Sequence, residues 1–205
     1  MDPRNTIIAF DLHGVLFRLD WREVFHILWG YPHKWRLFTC GFNIRLIWRC
    51  LHMVWHDAVD EEYYQLFRRL CPNILPVIIE LTNAQKPIEP TVEILRTLKE
   101  RGFLLHVISN IGPQRFAVLK NRYSLIIALF DSVQISHSDE DNTLKKPDQR
   151  FFDGYMHAHN SDHKTVIFVD DSKKNIRVAN KAGFIGIHFK NPQQLASVLK
   201  QLQVL

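Results

Sequence analysis

The sequence predicts a three-layer α/β fold: a Rossmann-like parallel sheet core with a small helical cap inserted after the first strand. Three observations predict it. Short, nearly continuous apolar runs alternate with helical patterns over residues 1–17 and 85–205, the texture of strands buried on both faces and joined by crossover helices. Residues 18–84 interrupt that texture with helical patterning throughout, a stretch too long for a plain loop in a compact domain. Polar residues gather at the ends of the apolar runs, where ligands bind in sheets of this kind. The expected division is a core over 1–17 and 85–205, and a cap over 18–84 above the strand ends.

The elements follow in order. Thr6-Ile-Ile-Ala-Phe-Asp11 reads as the first strand. An amphipathic helix carries Val92, Leu95, Leu98 and Lys99 at helical spacing, and Gly102 stops it. Phe103–Ser109, Phe130–Ser136 and Thr165–Asp170 are the next strands, and Gly186–Phe189 is a short fifth before a closing helix from Pro192 to Leu202. There is no internal repeat and no low-complexity tract.

The composition is that of a globular chain. Its 205 residues are 46% hydrophobic and 23% charged, which excludes a disordered chain, a collagen-like repeat and a coiled coil. No apolar run approaches the roughly 20 residues of a membrane-spanning helix. The N-terminus, in which one Arg precedes a short apolar run ending at Asp11, does not read as a signal peptide. Cys40, Cys50 and Cys71 are an odd set without C-x-x-C spacing; they suggest packing residues in a reducing compartment, so a cytoplasmic location and no disulfide framework are expected. The net charge of +5 and pI near 9.2 favour anionic partners without selecting one.

Asp11, Asp170 and Asp171 carry the chemistry. A buried parallel strand has no use for an ionised carboxylate unless a cation or hydrogen-bond donors meet it. These three lie at the tips of two strands expected to be neighbours, and a hard divalent cation such as Mg²⁺, shared with a substrate phosphate, relieves their repulsion. Lys146, just before a helix start, can reach the same pocket. Ser109 offers a hydroxyl and Asn110 an amide to an anion. Each aspartate taken singly also suits a turn or helix cap.

Asp11-Leu-His-Gly-Val-Leu16, Val107-Ile-Ser-Asn110, Lys145-Lys-Pro-Asp148 and Phe168-Val-Asp-Asp-Ser172 resemble, in order, the four motifs of the haloacid dehalogenase superfamily, and Asn175–Phe184 resembles the run that follows the fourth. The insertion is similar to the helical cap of the branch that holds epoxide-hydrolase N-terminal domains and phosphoglycolate-type phosphatases. The resemblance implies a Mg²⁺-dependent hydrolase, most simply a phosphatase of a small phosphorylated compound. Asp11 would be the nucleophile that forms an aspartyl-phosphate. Asp11, Asp171 and the backbone carbonyl of His13 would hold Mg²⁺, with Asp170 helping to ligate or holding a metal-bound water. Ser109 and the amide of Asn110 would bind phosphoryl oxygens, and Lys146 would neutralise their charge. Gly14 would permit the tight turn.

His13 departs from the pattern, since phosphatases of the superfamily carry an acid/base Asp there. Three readings stay open. His13 takes over the proton transfer, for which an ordinary imidazole pKa of about 6.5 suits neutral pH; or it marks non-phosphoester chemistry; or turnover is reduced and the domain binds an anion, membrane or partner.

All five tryptophans, Trp21, Trp29, Trp35, Trp48 and Trp55, fall in the proposed cap. Lys34, Arg36, Arg45 and Arg49 interleave with Tyr31, Phe38 and Phe42 in a stretch between Glu23 and Asp57 that has no acid. The aromatics are expected to form the cap's core with the basic residues solvated. A grip on an anionic substrate, on nucleic acid or on a membrane surface would also suit the composition but is not favoured. His52 and His56 read as an ordinary pair one helical turn apart, and His157, His159 and His163 as solvated loop residues.

Overall fold

The computed structural model describes residues 1–32, 60–139, 142–159, 162 and 164–205. In chain order the elements are β1 (Thr6–Phe10), β2 (Phe17–Leu19), α1 (Trp21–Gly30), α2 (Asp60–Leu70), α3 (Leu75–Asn83), β3 (Gln85–Pro87), α4 (Glu89–Glu100), β4 (Leu104–Ser109), α5 (Pro113–Arg122), α6 (Ser124–Ile127), β5 (Ser132–Ile135), β6 (His137–Asp139), β7 (Asn142–Leu144), α7 (Gln149–His159), β8 (Thr165–Asp170), α8 (Lys173–Lys181), β9 (Ile185–His188) and α9 (Pro192–Gln201). Two compact units divide the chain: Met1–Arg18 with Pro87–Ser109 and Lys120–Leu205, and Leu19–Lys86 with Asn110–Leu119.

The first unit is built on a parallel five-stranded sheet of order β5-β4-β1-β8-β9. All five residues of β1 are buried, as a strand paired on both sides and covered on both faces requires. Its register sets Phe10 opposite Val107 of β4 and Val169 of β8. The Asp11 amide extends the ladder by donating to the Val169 carbonyl at 2.9 Å, so the tips of β1 and β8 are neighbours, as the sequence suggests. On one face Ile7, Ala9, Ile108, Val166 and Phe168 pack with Phe151, Phe152 and Tyr155 of α7 and with Ile176 and Ala179 of α8. The alternate residues Ile8, Phe10, Leu105, Val107, Ile167 and Val169 are also buried, and α4 packs on β4 and on α9.

The second unit has its own core of Leu66, Phe67, Cys71, Ile74 and Val77, against which Ile27 and Tyr31 pack. Asp20 caps α1: its Oδ1 accepts from the Arg22 amide at 3.1 Å and from Lys86 Nζ at 3.0 Å. The expectation that the aromatics form this core fails for two of the five tryptophans, since Trp21 and Trp29 are 71% and 70% exposed. Among the described residues Phe67 is the aromatic member of the core, beside Leu66, Cys71, Ile74 and Val77. Trp35, Trp48 and Trp55 lie outside the described residues, as do Lys34, Arg36, Phe38, Cys40, Phe42, Arg45, Arg49, Cys50, His52, His56 and His163.

Other expectations need correction. Cys71 is disulfide-bonded, which corrects the expectation of a chain without a disulfide, while its place in the second unit's core is the packing role expected of it. The short strands β2 and β3 pair with each other, and β6 pairs antiparallel with β7; three-residue strands are too short to show a period of two. His157 and His159 close α7 rather than lying in a loop. His159 is half-buried, edge-on to His106 and tilted against Tyr155, with Nδ1 3.3 Å from Ser132 Oγ.

His106 sits inside β4, buried, with its Nδ1 hydrogen-bonded to the Tyr155 hydroxyl at 2.7 Å. Burial, and next the neighbouring His159, pulls its imidazole from 6.5 down to about 4. The unfolded chain therefore binds a proton between these values that the folded chain refuses, and stability rises with pH across that window. Urea unfolding at a series of pH values is expected to show the native chain losing up to about 3 kcal/mol relative to His106→Gln as pH falls from 6.5 to 4. His106→Gln should flatten that slope, and an unchanged slope in the variant removes His106 as its source.

Candidate active site

The carboxyl tips of β1, β4 and β8 gather the predicted residues. Asp11 follows β1 and is 7% exposed; its Oδ1 accepts from the Leu12 amide at 2.7 Å. Lys146 stands just before α7 and is 1% exposed. Its ammonium contacts Asp11 Oδ2 at 2.9 Å, donates to Asp170 Oδ2 at 2.6 Å and to the Ile108 carbonyl at 3.0 Å. Three donors thus meet three acceptors, and the Phe168 ring centroid lies 5.3 Å away. Burial works against the ammonium, but the Asp11 and Asp170 carboxylates outweigh it and raise the Lys146 pKa above its ordinary value.

Asp170 is completely buried and saturated. Its Oδ1 accepts from the Ser172 amide at 2.8 Å and from Asn175 Nδ2 at 3.1 Å, and its Oδ2 accepts from Asn175 Nδ2 at 3.1 Å as well as from Lys146. Burial pushes its carboxyl above the ordinary carboxylate range; Lys146 opposes that shift and Asp11 adds to it. Asp171 stands at the exposed side of the group. Loss of hydration around its carboxyl, then the charges of Asp11 and Asp170, push it up to about 6. Behind it, His188 Nε2 donates to the Asp171 carbonyl at 3.0 Å.

Asp11, Asp170 and Asp171 each offer an oxygen, and the three lie within 4.8 Å of one another. Gly14 makes room for this crowding. Its φ is +75°, and a Cβ there would stand 2.2 Å from Asp171 Oδ2, so only glycine suits both the turn and the carboxylate. The turn is tied by the Gly14 amide donating to the Phe17 carbonyl at 2.8 Å and by a bridge between His13 and Phe17. His13 itself is half-buried.

Ser109 ends β4 at 1% exposure, and its hydroxyl has no hydrogen-bond partner among the described residues. Such a group is costly unless a ligand or water meets it. Asn110 is the next residue, half-buried, and opens the segment grouped with the second unit. Sequence reasoning assigned no role to Asn175, whose amide grips both oxygens of Asp170, or to His188. A buried Asn on the first turn of a helix that directly follows two aspartates is the signal that finds Asn175.

A family profile described as haloacid dehalogenase-like hydrolase matches residues 59–187, more than half of the chain. The chain belongs to the haloacid dehalogenase-like hydrolases. This hydrolase is 25% identical over 146 residues to a sesquiterpene phosphatase of Aspergillus oryzae, a match spanning 70% of this chain and 72% of the relative. Among solved structures, a HAD family enzyme from Bacteroides thetaiotaomicron aligns with a TM-score of 0.63 at 16% identity, covering 95% of this chain and 98% of that one. The wild-type form of that enzyme in complex with magnesium and inorganic phosphate aligns with a TM-score of 0.61 at 18% identity, over 90% and 94% of the two chains. A dehalogenase aligns with a TM-score of 0.63 at 16% identity, over 94% and 96%. At these identities the structural likeness is one of fold.

Removing the ammonium of the hydrolase leaves Asp11 and Asp170 buried without a counter-charge. Lys146→Met is expected to lower stability by about 3–5 kcal/mol in urea unfolding at neutral pH with a chelator present. Adding Asp170→Asn should recover part of that loss, and additive losses in the double variant contradict the pairing.

Proposed function

We propose that this hydrolase is a Mg²⁺-dependent phosphatase of a small phosphorylated compound, working through an aspartyl-phosphate on Asp11. The observation that carries the reading is the trio of carboxylates gathered within 4.8 Å beside the buried Lys146. Its donors are all hard oxygens, the set that suits Mg²⁺. Asp170 already spends both oxygens on Lys146, Ser172 and Asn175, so Asp11, Asp171 and the His13 carbonyl are the groups assigned to the ion, and Asp170 anchors the lysine. When bound, the ion supplies countercharge to the carboxylates and polarises the phosphoryl group.

The chain's own residues then divide the work. The carboxylate of Asp11 attacks phosphorus; a P–O bond to Asp11 forms as the bond to the leaving oxygen breaks, and that oxygen takes up a proton. Water next attacks the same phosphorus, gives up a proton and releases Asp11 and inorganic phosphate. Lys146 faces the negative charge of the transferred group, and the Ser109 hydroxyl donates to one of its oxygens, an arrangement in which positioning and charge stabilisation supply most of the rate. The imidazole of His13 gives the proton to the leaving group and takes one from water. The sesquiterpene phosphatase of Aspergillus makes a sesquiterpene phosphate the first natural substrate to try.

Turnover of an aryl phosphate and of a sesquiterpene phosphate should require Mg²⁺, vanish with EDTA and vanish in Asp11→Asn. Retained turnover in that variant overturns the nucleophile. In a separate comparison, His13→Ala is expected to reduce turnover about 100-fold at neutral pH. A gain in His13→Asp well above the native rate instead favours a phosphatase weakened by its histidine.

A further inference from the structure

In the second unit, α1 exposes an aromatic stripe. Trp21, Phe25 and Trp29 are 71%, 66% and 70% exposed, and Leu28 beside them is 37% exposed. The rings of Phe25 and Trp29 stack with centroids 5.9 Å apart and an interplanar angle of 19°. At roughly 100° per residue the three aromatics cover about 80° of the helix surface. Val24 and Ile27 turn the other way, Val24 buried and Ile27 packed against the unit's core. The stripe is therefore not the edge of a packed face but a second apolar face, and contiguous exposed apolar surface of this kind marks an interaction site.

The charges around it select the partner. Arg22 and His26, both exposed, continue the helix surface directly beyond the aromatics. Glu23 projects to the opposite side, and Asp20 is held by the α1 cap and by Lys86. From Val24 to His56 the sequence contains no Asp or Glu. A second copy of α1 would set Arg22 against its own equivalent, since among the described residues of α1 the acids Asp20 and Glu23 lie off this face. Trp rings suit the boundary between hydrocarbon and headgroups, and the Arg22 guanidinium beside them suits anionic lipid.

We propose that α1 docks on an anionic lipid bilayer surface. Trp21, Phe25 and Trp29 enter the headgroup boundary, and Arg22 with His26 faces the lipid phosphates. The inference rests on the second unit alone and does not depend on the phosphatase reading.

The test is co-sedimentation of the full chain with vesicles of phosphatidylcholine, alone or with about 30% phosphatidylglycerol, at low and high salt. Binding to the anionic vesicles, weakened by salt, is expected. It should fall at least about tenfold in Trp21→Ser/Trp29→Ser and also in Arg22→Glu. All three substituted side chains are exposed, and circular dichroism checks that the variants keep the native fold. Absence of native binding overturns the proposal, as does equal binding to neutral and anionic vesicles, or unchanged binding by folded variants. A dimer in sedimentation equilibrium that the tryptophan variant dissociates, without vesicle binding, assigns the stripe to a second copy and also overturns it.

Discussion

The buried ammonium of Lys146 is the contact on which the site depends. Two carboxylates a few ångströms apart repel by about 4 kcal/mol even at an effective dielectric of 20, and Lys146 turns that repulsion into a clasp. It joins Asp11 after β1, Asp170 at the end of β8 and the Ile108 carbonyl of β4. Three strand ends are thereby tied at one point. The clasp continues through Asp170 into the Ser172 amide and Asn175 at the start of α8, so the helix that follows β8 is registered to the same charge.

Three carboxylates facing one ammonium leave an excess of negative charge that the described residues do not cancel. The burden falls on Asp171, whose carboxyl is pushed up to about 6 by lost hydration and by Asp11 and Asp170. A bound divalent cation inverts that logic, because its charge becomes the largest in the group. The crowding is built in rather than incidental, since the backbone at Gly14 approaches Asp171 more closely than any side chain would allow.

Much of this was legible in the sequence for a physical reason. Strands buried on both faces must be nearly all apolar, so a carboxylate at the end of Thr6–Phe10 or Thr165–Asp170 stands out, and the parallel sheet does bring those ends together. The motif order then places Lys146 beside them. What was not legible depends on contacts between distant residues. The Asn175 amide reaches Asp170 from the next helix, and His159 reaches Ser132 across the sheet edge. Trp21 and Trp29 were expected in a core, because composition gives no hint that Val24 and Ile27 take the inward face of α1 and leave the larger rings outside.

The turn after β1 has a last implication. Its path is set by the left-handed glycine at position 14 and by backbone bonds to Phe17. A histidine codon becomes an aspartate codon by exchange of its first base. That single-base change touches neither Gly14 nor Phe17, the two residues that set the loop's path.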